Sequence, residues 1–92
     1  MEALETLYNF LQRTSNDGRI GPAHISLYTA LLKCYYDQGK AEMLSITSSE
    51  LMRVSKIYSP TTYHRTIQQL NEFGYITYNR TYSRWESSTV KL

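Results

Sequence analysis

A set of hydrogen-bonding side chains recurs along residues 60–73. At the angular spacing of a helix, Thr61, Arg65 and Gln68 share a face opposite Tyr63, Ile67 and Leu70, which must be buried. Arginine pairs with two acceptors of guanine, glutamine pairs with adenine, and threonine offers a hydroxyl and a methyl group. The residues predicted to contact base edges in double-stranded DNA are Thr61, Thr62, Arg65, Gln68 and Gln69. The alternative is an ordinary solvated helix face, so the surrounding elements decide between the two.

A second set of side chains suits phosphate groups, which position a protein on DNA without reading its sequence. Hydroxyl groups at predicted helix starts, cations in turns and a histidine form this set: Ser48, Ser49, Lys56, Ser59, His64, Arg80 and Arg84. Tyr82 and Trp85 add aromatic surface to a predicted strand tip, where a backbone or minor groove could lie. Packing of Trp85 against Tyr78 or the helices is the alternative for that residue.

The charges of the chain are divided between its two halves. Residues 1–52 hold four basic and six acidic residues, whereas residues 53–92 hold six basic and two acidic residues. The whole chain therefore has a net charge of only +2, yet its C-terminal half is at +4. We expect a polyanion to bind that half, although surface cations that only contact solvent would give the same count.

Two helix starts occur in succession within residues 47–73. Thr47 followed by Glu50 predicts a capping box, and Ile46 with Leu51 has the spacing of a hydrophobic staple. Ser59 before Pro60 predicts a second capped helix, with Tyr58 and Tyr63 as its staple. Two short, separately capped helices joined by three residues are typical of a helix-turn-helix.

The flanking segments complete the predicted fold. Residues 1–14 and a segment starting near Pro22 have helical apolar patterns, and residues 43–46 form a short strand or an extended link. After Gly74 the period changes to two, which predicts strands at residues 75–78 and 87–92. We therefore predict a mainly α fold with a small β-hairpin, in the order α-α-β-α-α-β-β: a winged helix-turn-helix. Residues 1–92 form one domain, with an accessory N-terminal helix (1–14), the helix-turn-helix (47–73) and the wing (75–92).

The residues present argue against several classes of function. Cys34 is the only cysteine and lies in a helical apolar pattern, so we expect a buried thiol, with no disulfide and no zinc site. Tyr63, His64 and Arg65 invite comparison with a tyrosine recombinase, but Tyr63 falls on the side predicted to be buried. Neither a Gly-rich phosphate loop nor a nucleophile elbow occurs. We therefore expect no enzymatic activity, no cofactor and no small-molecule ligand.

The first residues of the chain and the length of its apolar stretches indicate where in the cell the protein is expected. The apolar stretches are too short for a transmembrane helix, and residues 1–13 lack the basic start and apolar centre of a signal peptide. We therefore expect a cytoplasmic, nucleoid-associated protein that does not contact membranes.

Four segments carry a resemblance to a known group of proteins. They are HISLYTAL (24–31), ELMRVSKI (50–57), the stretch from TYHR (62–65) to GYITY (74–78), and STVKL (88–92). With these segments the chain resembles the small winged-helix proteins of conjugative transposons of Bacteroidetes-type bacteria. At the level of fold it is also similar to the N-terminal DNA-binding domains of phage and plasmid replication proteins. The resemblance implies DNA binding in a mobile element, as a regulator or as an accessory factor in excision or transfer.

The expected function is therefore sequence-specific binding of double-stranded DNA, as a transcriptional regulator or an accessory protein. Because one such domain with few cations binds DNA modestly, we expect a homodimer that reads two half-sites, with the N-terminal helix as its contact. Two alternatives stay open: a winged-helix module that binds proteins and has lost DNA binding, and an accessory domain in replication initiation. The net charge of +2 and the acidic Glu72 on the outer helix face favour the protein-binding module.

Overall fold

Four helices and three strands follow one another in the computed structural model, which describes residues 2–81 and 87–92. They are α1 (Glu2–Thr14), α2 (Pro22–Asp37), β1 (Leu44–Ile46), α3 (Ser48–Ser55), α4 (Pro60–Glu72), β2 (Thr77–Asn79) and β3 (Ser88–Lys91). The predicted order of elements is confirmed: the fold is mainly helical with a small antiparallel sheet. None of these helices is both long enough and apolar enough to cross a bilayer.

Helix α2 lies at the centre of the core. It begins at Pro22, whose missing N–H costs nothing in a first turn, and it packs against α1, α3, α4 and β1. Leu27 and Leu31 are fully buried on it, and so is most of Cys34, which confirms the predicted core thiol. Burial raises the pKa of the Cys34 thiol above its ordinary value. A neutral thiol inside a packed core behaves as a small apolar side chain.

The regular helical spacing of Leu4, Leu7, Tyr8 and Leu11 predicts that these residues of α1 face the core, but most of this stripe does not. Phe10, only 1% exposed, packs into the core and stacks on Tyr28 with ring centroids 3.8 Å apart. In contrast, Leu4 is 63% exposed, Tyr8 59% and Leu11 39%. The helix therefore has two apolar sides, and its more regular apolar stripe points largely into solvent.

Local capping signals in the middle of the chain are confirmed. Thr47 caps α3 by accepting the Glu50 N–H at 3.4 Å, which is the first half of the predicted capping box. Ser59 caps α4 in the same way by accepting the Thr62 N–H at 3.3 Å. The staple predicted between Tyr58 and Tyr63 is wrong, since Tyr63 is buried while Tyr58 is 71% exposed.

The sheet has three strands rather than the two of a simple hairpin. Strand β3 lies in the middle, antiparallel to both β1 and β2, with Val90 opposite Leu44 on one side and Tyr78 on the other. The first of the two predicted strands begins two residues late, at Thr77. The reason is that the N–H groups of Tyr75 and Ile76 bond back to the Leu70 carbonyl at the end of α4.

A charged cluster ties the α1–α2 connection to the segment that follows α4. The Asp17 carboxylate accepts two hydrogen bonds from the Arg19 guanidinium, both at 2.8 Å, and one from the Tyr75 hydroxyl at 2.7 Å. These donors, Arg19 first, hold the pKa of Asp17 well below its ordinary value of 3.8. Because Asp17 and Tyr75 are distant in sequence, their bond fixes the position of the chain after α4.

Stability should therefore depend on pH through Asp17. A carboxylate whose pKa is lower in the folded state than in the unfolded state stabilises the fold above its unfolded pKa, and this stabilisation is lost as the pH falls through the folded pKa. We expect wild type to be more stable than Asp17→Asn at neutral pH, with a difference that narrows below about pH 4. Urea unfolding at a series of pH values measures this. Tyr75→Phe, which removes only one of the donors, should give a smaller difference. A difference that stays constant down to about pH 2 would contradict the assignment.

Candidate nucleic-acid interface

Helix α4 separates a buried side from a polar outer side. Tyr63, Ile67 and Leu70 are buried against the core, and Thr66, also buried, bonds its hydroxyl to the Thr62 carbonyl at 2.7 Å. Three of the predicted base-contacting residues, Thr61, Arg65 and Gln68, are exposed, and we call them the α4 outer face. Thr62 and Gln69 are half-buried at its margins. The outer face thus presents a hydroxyl, a guanidinium and an amide to solvent.

Gln69 differs from its neighbours because it has a partner inside the protein. The Gln69 Oε1 atom lies 2.8 Å from Nε2 of His24, a residue of α2 that is 8% exposed. The other ring nitrogen of His24 accepts the Gly21 N–H at 3.0 Å, so in the neutral ring Nε2 carries the proton and donates to Gln69. This bond directs Gln69 towards α2 and gives it a structural function.

The turn between α3 and α4 is narrow and exposes two side chains. Lys56 adopts a left-handed conformation with φ of 65°, which ends α3, and its side chain is exposed. Ile57 is buried and anchors the turn, whereas Tyr58 is exposed immediately before the cap of α4. Spacing alone predicts a staple position for Tyr58, and this residue is not among the predicted DNA contacts. The signal that could have identified it is its place in a short predicted turn, directly before the Ser59 cap.

The start of α4 keeps hydrogen-bond donors available. The Ser59 oxygen accepts the Thr62 N–H, which leaves the hydroxyl hydrogen of this exposed residue to donate outward. The Thr61 N–H belongs to the first turn of the helix, where no carbonyl precedes it to accept a bond. Helix starts of this kind bind anions through their N–H groups and the helix dipole. Ser49, at the second position of α3, is also exposed.

Three of the predicted phosphate contacts converge on one small cleft between α3, α4 and the strands. Ser48 from the start of α3, His64 from α4 and Arg80 from the end of β2 line a cavity of about 100 Å³. The other walls of this cleft, which we call the α3–α4–β2 cleft, come from Tyr63, Tyr78, Ser88 and Ile46. Burial raises the pKa of Tyr63 above its ordinary value, so its hydroxyl stays neutral. Hydroxyl, imidazole and guanidinium groups around one cavity are donors that suit an anion.

Most described cations in the N-terminal half form ion pairs, whereas most of those described in the C-terminal half do not. In the N-terminal half, Arg19, Lys33 and Lys40 form ion pairs with Asp17, Asp37 and Glu2 respectively. Within residues 2–81 and 87–92, the structure gives no ion-pair partner to Arg53, Lys56 or Arg65, all of which are exposed. Lys91 in the C-terminal half pairs with Glu42, and Arg13 of α1 bonds to the Gly74 carbonyl but to no described carboxylate. Three of the four described cations named here without an ion pair therefore lie on α3, the turn and α4.

Three predicted contacts cannot be placed. Tyr82, Arg84 and Trp85, expected at the wing tip, lie outside the described residues. The strands that lead to them are paired, with Thr77 opposite Lys91 and Asn79 opposite Thr89. Among the residues that the structure does describe, no three His, Cys, Asp or Glu side chains are grouped closely enough to hold a metal ion.

Comparisons with protein-family models, with curated proteins and with solved structures give no match.

The bond between His24 and Gln69 leads to a test on stability. In Gln69→Ala the buried Nε2–H of His24 loses its acceptor, which should cost about 1–3 kcal/mol of unfolding free energy. Gln68→Ala is the matched control, because it removes the same side chain from the exposed side of α4 and should change stability by less than about 0.5 kcal/mol. Urea unfolding of both variants measures the difference. Equal stability of the two variants would show that Gln69 has no structural function.

Proposed function

We propose that this protein is a winged helix-turn-helix domain that binds double-stranded DNA. In this interpretation α3 and α4 are the two helices of the motif, α4 is the recognition helix, and β2 with β3 forms the wing. The observation that carries the proposal is that Arg53, Lys56 and Arg65, on α3, the turn and α4, are exposed and have no ion pair within the described residues. Phosphate neutralisation by such cations, with release of counterions, provides most of the affinity of proteins for DNA.

The exposure of each side chain on α4 decides whether we assign it to a base contact. Thr61, Arg65 and Gln68 on the α4 outer face would contact base edges, with Arg65 on a guanine and Gln68 on an adenine. Gln69 is left out of this set, because its oxygen already accepts the bond from His24. Thr62 is left out as well, because it lies at the margin of the face and its backbone N–H and carbonyl already bond to Ser59 and Thr66.

Phosphates on either side of the groove would be held by the surrounding donors. One would bind at the α3–α4–β2 cleft, where the donors come from Ser48, His64 and Arg80. Another would contact the start of α4 near Ser59, with Lys56 beside it. Since three separate elements contribute to the cleft, a phosphate there would fix the orientation of α4 in the groove.

The biological setting that we propose is that of a mobile genetic element, where the domain acts as a regulator or as an accessory protein in excision or transfer. This part rests on the resemblance of four sequence segments to proteins of conjugative transposons.

Removal of Arg65 tests base reading. Arg65→Ala should weaken binding to the preferred sequence by about 1–3 kcal/mol and should relax the preference at one base position, because a bidentate contact to guanine is lost. Selection from a random duplex pool, followed by titration of the selected site, measures both effects. Lys40→Ala removes an equal charge from the far end of α2, where it pairs with Glu2, and should leave the preference unchanged. If Arg65→Ala selects the same sequences from the pool as the parent does, α4 is not the recognition helix.

Removal of Arg80 tests the phosphate cleft. Arg80→Ala should weaken binding to all sequences alike and should reduce the slope of log K against log salt by about 0.9, which corresponds to one phosphate. Titrations of mixed duplex at several salt concentrations give this slope. If the folded parent shows no binding to random duplex even at about 50 mM salt, DNA binding is wrong, and a protein-binding module is favoured instead.

A further inference from the structure

The surface formed by α1 and α2 has an apolar face that nothing in the described chain covers. Leu4, Tyr8 and Leu11 of α1 and Ile25 and Tyr36 of α2 are all exposed, and together we call them the α1–α2 apolar face. A groove lined by Leu4, Leu32 and Tyr36 runs at one end, and a second groove between Leu11 and Ile25 lies at the other. The two helices are therefore antiparallel, and the apolar face extends over most of their length. Exposed apolar surfaces of this extent typically mark a protein interface.

The charges at the two edges of this face are opposite in sign. Glu5 lies on the outer edge of α1. It lines a groove together with Leu4 and Tyr8. Lys33 lines the other groove that contains Leu4, on the side of α2. A carboxylate and an ammonium thus border the same end of the apolar face, one at each outer edge. Lys33 already pairs with Asp37 of its own helix, but an ammonium has three donors and can bond a second carboxylate.

We propose that the α1–α2 apolar face binds the same face of a second copy of this chain. A two-fold axis that runs parallel to the helices, between the two copies, lays α1 of each copy against α2 of the other. Because such an axis keeps every residue at its own height along the helices, Glu5 of each copy then lies beside Lys33 of the other. An axis perpendicular to the helices would instead move Glu5 towards the opposite end of α1, where Gln12 offers no charge. The edge charges therefore select a two-fold dimer that is a four-helix bundle.

A second copy explains the face better than a foreign partner does. The apolar face has both a donor edge and an acceptor edge, so it is complementary to itself, which is the requirement for a two-fold interface. The interface does not involve the α4 outer face, the turn or the α3–α4–β2 cleft. The dimer therefore forms in the absence of DNA, and its failure would leave the proposed DNA binding untouched.

The mass of the full chain in solution tests the proposal. Sedimentation from about 1 µM to about 1 mM should show a monomer–dimer equilibrium. Leu4→Glu combined with Tyr8→Glu should weaken the dimer at least about thirty-fold, since both are large side chains of the α1–α2 apolar face and each copy would bury two charges there. Met43→Glu is the matched control, because it places the same charge on an exposed apolar residue outside the face, and it should leave the dimer intact. Circular dichroism confirms that each variant is folded.

An exchange of charges tests the orientation. Glu5→Lys alone should weaken the dimer about fivefold or more, because two like-charged pairs replace two ion pairs, and Glu5→Lys with Lys33→Glu should restore it. A monomer at every concentration, or a dimer that persists in the Leu4→Glu, Tyr8→Glu variant, would overturn the proposed interface. Masses beyond the dimer would overturn its two-fold closure. A double variant that dimerises no better than Glu5→Lys would overturn the orientation that the edge charges select.

Discussion

Helix α2 is buried over most of its circumference, and every other helix has to be placed where it covers part of that surface. Its buried residues are His24, Leu27, Tyr28, Ala30, Leu31, Leu32 and Cys34. Each fully buried leucine contributes about 1.5–3 kcal/mol, so the positions of α1, α3 and α4 are set mainly by contact with this one helix. Within residues 2–81 and 87–92, the side chains on the outer sides of α1 and α4 stay exposed. What α1 and α4 present outward is therefore available for other molecules.

Polar bonds at the margins of α2 make this arrangement specific. The Ser26 hydroxyl bonds to the Ser55 carbonyl at the end of α3, and His24 bonds to Gln69 near the end of α4. Apolar contact alone would allow a helix to rotate or slide, whereas a buried donor that loses its acceptor costs about 1–3 kcal/mol. The two bonds therefore fix the rotation of α3 and α4 on α2. As a consequence, Arg65 and Gln68 point away from the core in a defined direction.

The parts of the fold that the sequence predicts well depend on neighbours in the chain. Thr47 and Ser59 were identified as caps because a cap and the N–H that it accepts are only three residues apart. The apolar side of α1 that enters the core was not identified. Leu4, Tyr8 and Leu11 have the regular spacing, but Phe10 alone reaches Tyr28, and periodicity does not reveal which of two apolar sides meets the rest of the molecule.

At the candidate site, too, the features that depend on near neighbours in the chain are predictable, and those that depend on packing are not. The outer position of Arg65 follows from the helical repeat, so it was predictable. The partner of Gln69 lies in a different helix, and the meeting of Ser48, His64 and Arg80 at one cleft depends on three elements. Distances of this kind become visible only when the elements are packed. Tyr58 was assigned to a staple on spacing alone, although the turn places it in solvent.

The charge division of the chain connects the two proposed surfaces. Each phosphate contact contributes about 0.9 to the salt slope of binding, so a single copy with few unneutralised cations would bind DNA weakly at physiological salt. Two copies joined through α1 and α2 would double these contacts and would turn the second binding event into an intramolecular one. Half-sites one helical turn apart are separated by about 34 Å, which is the distance that the two α4 helices of the proposed dimer would have to match.

The acidic N-terminal half has an electrostatic function in such a dimer. Residues 1–52 hold two more acidic than basic residues, whereas the C-terminal half is at +4, so each copy is polarised along the direction from α1 to α4. In the proposed complex a polyanion would be repelled by the net charge of the first half and attracted by that of the second, which would orient the approach of the protein before any base is contacted. The same repulsion would keep the α1–α2 apolar face away from DNA, where burial against a phosphate backbone would be unfavourable. A total charge of +2 therefore conceals the uneven distribution of charge, and it is this distribution that would orient the proposed binding to DNA.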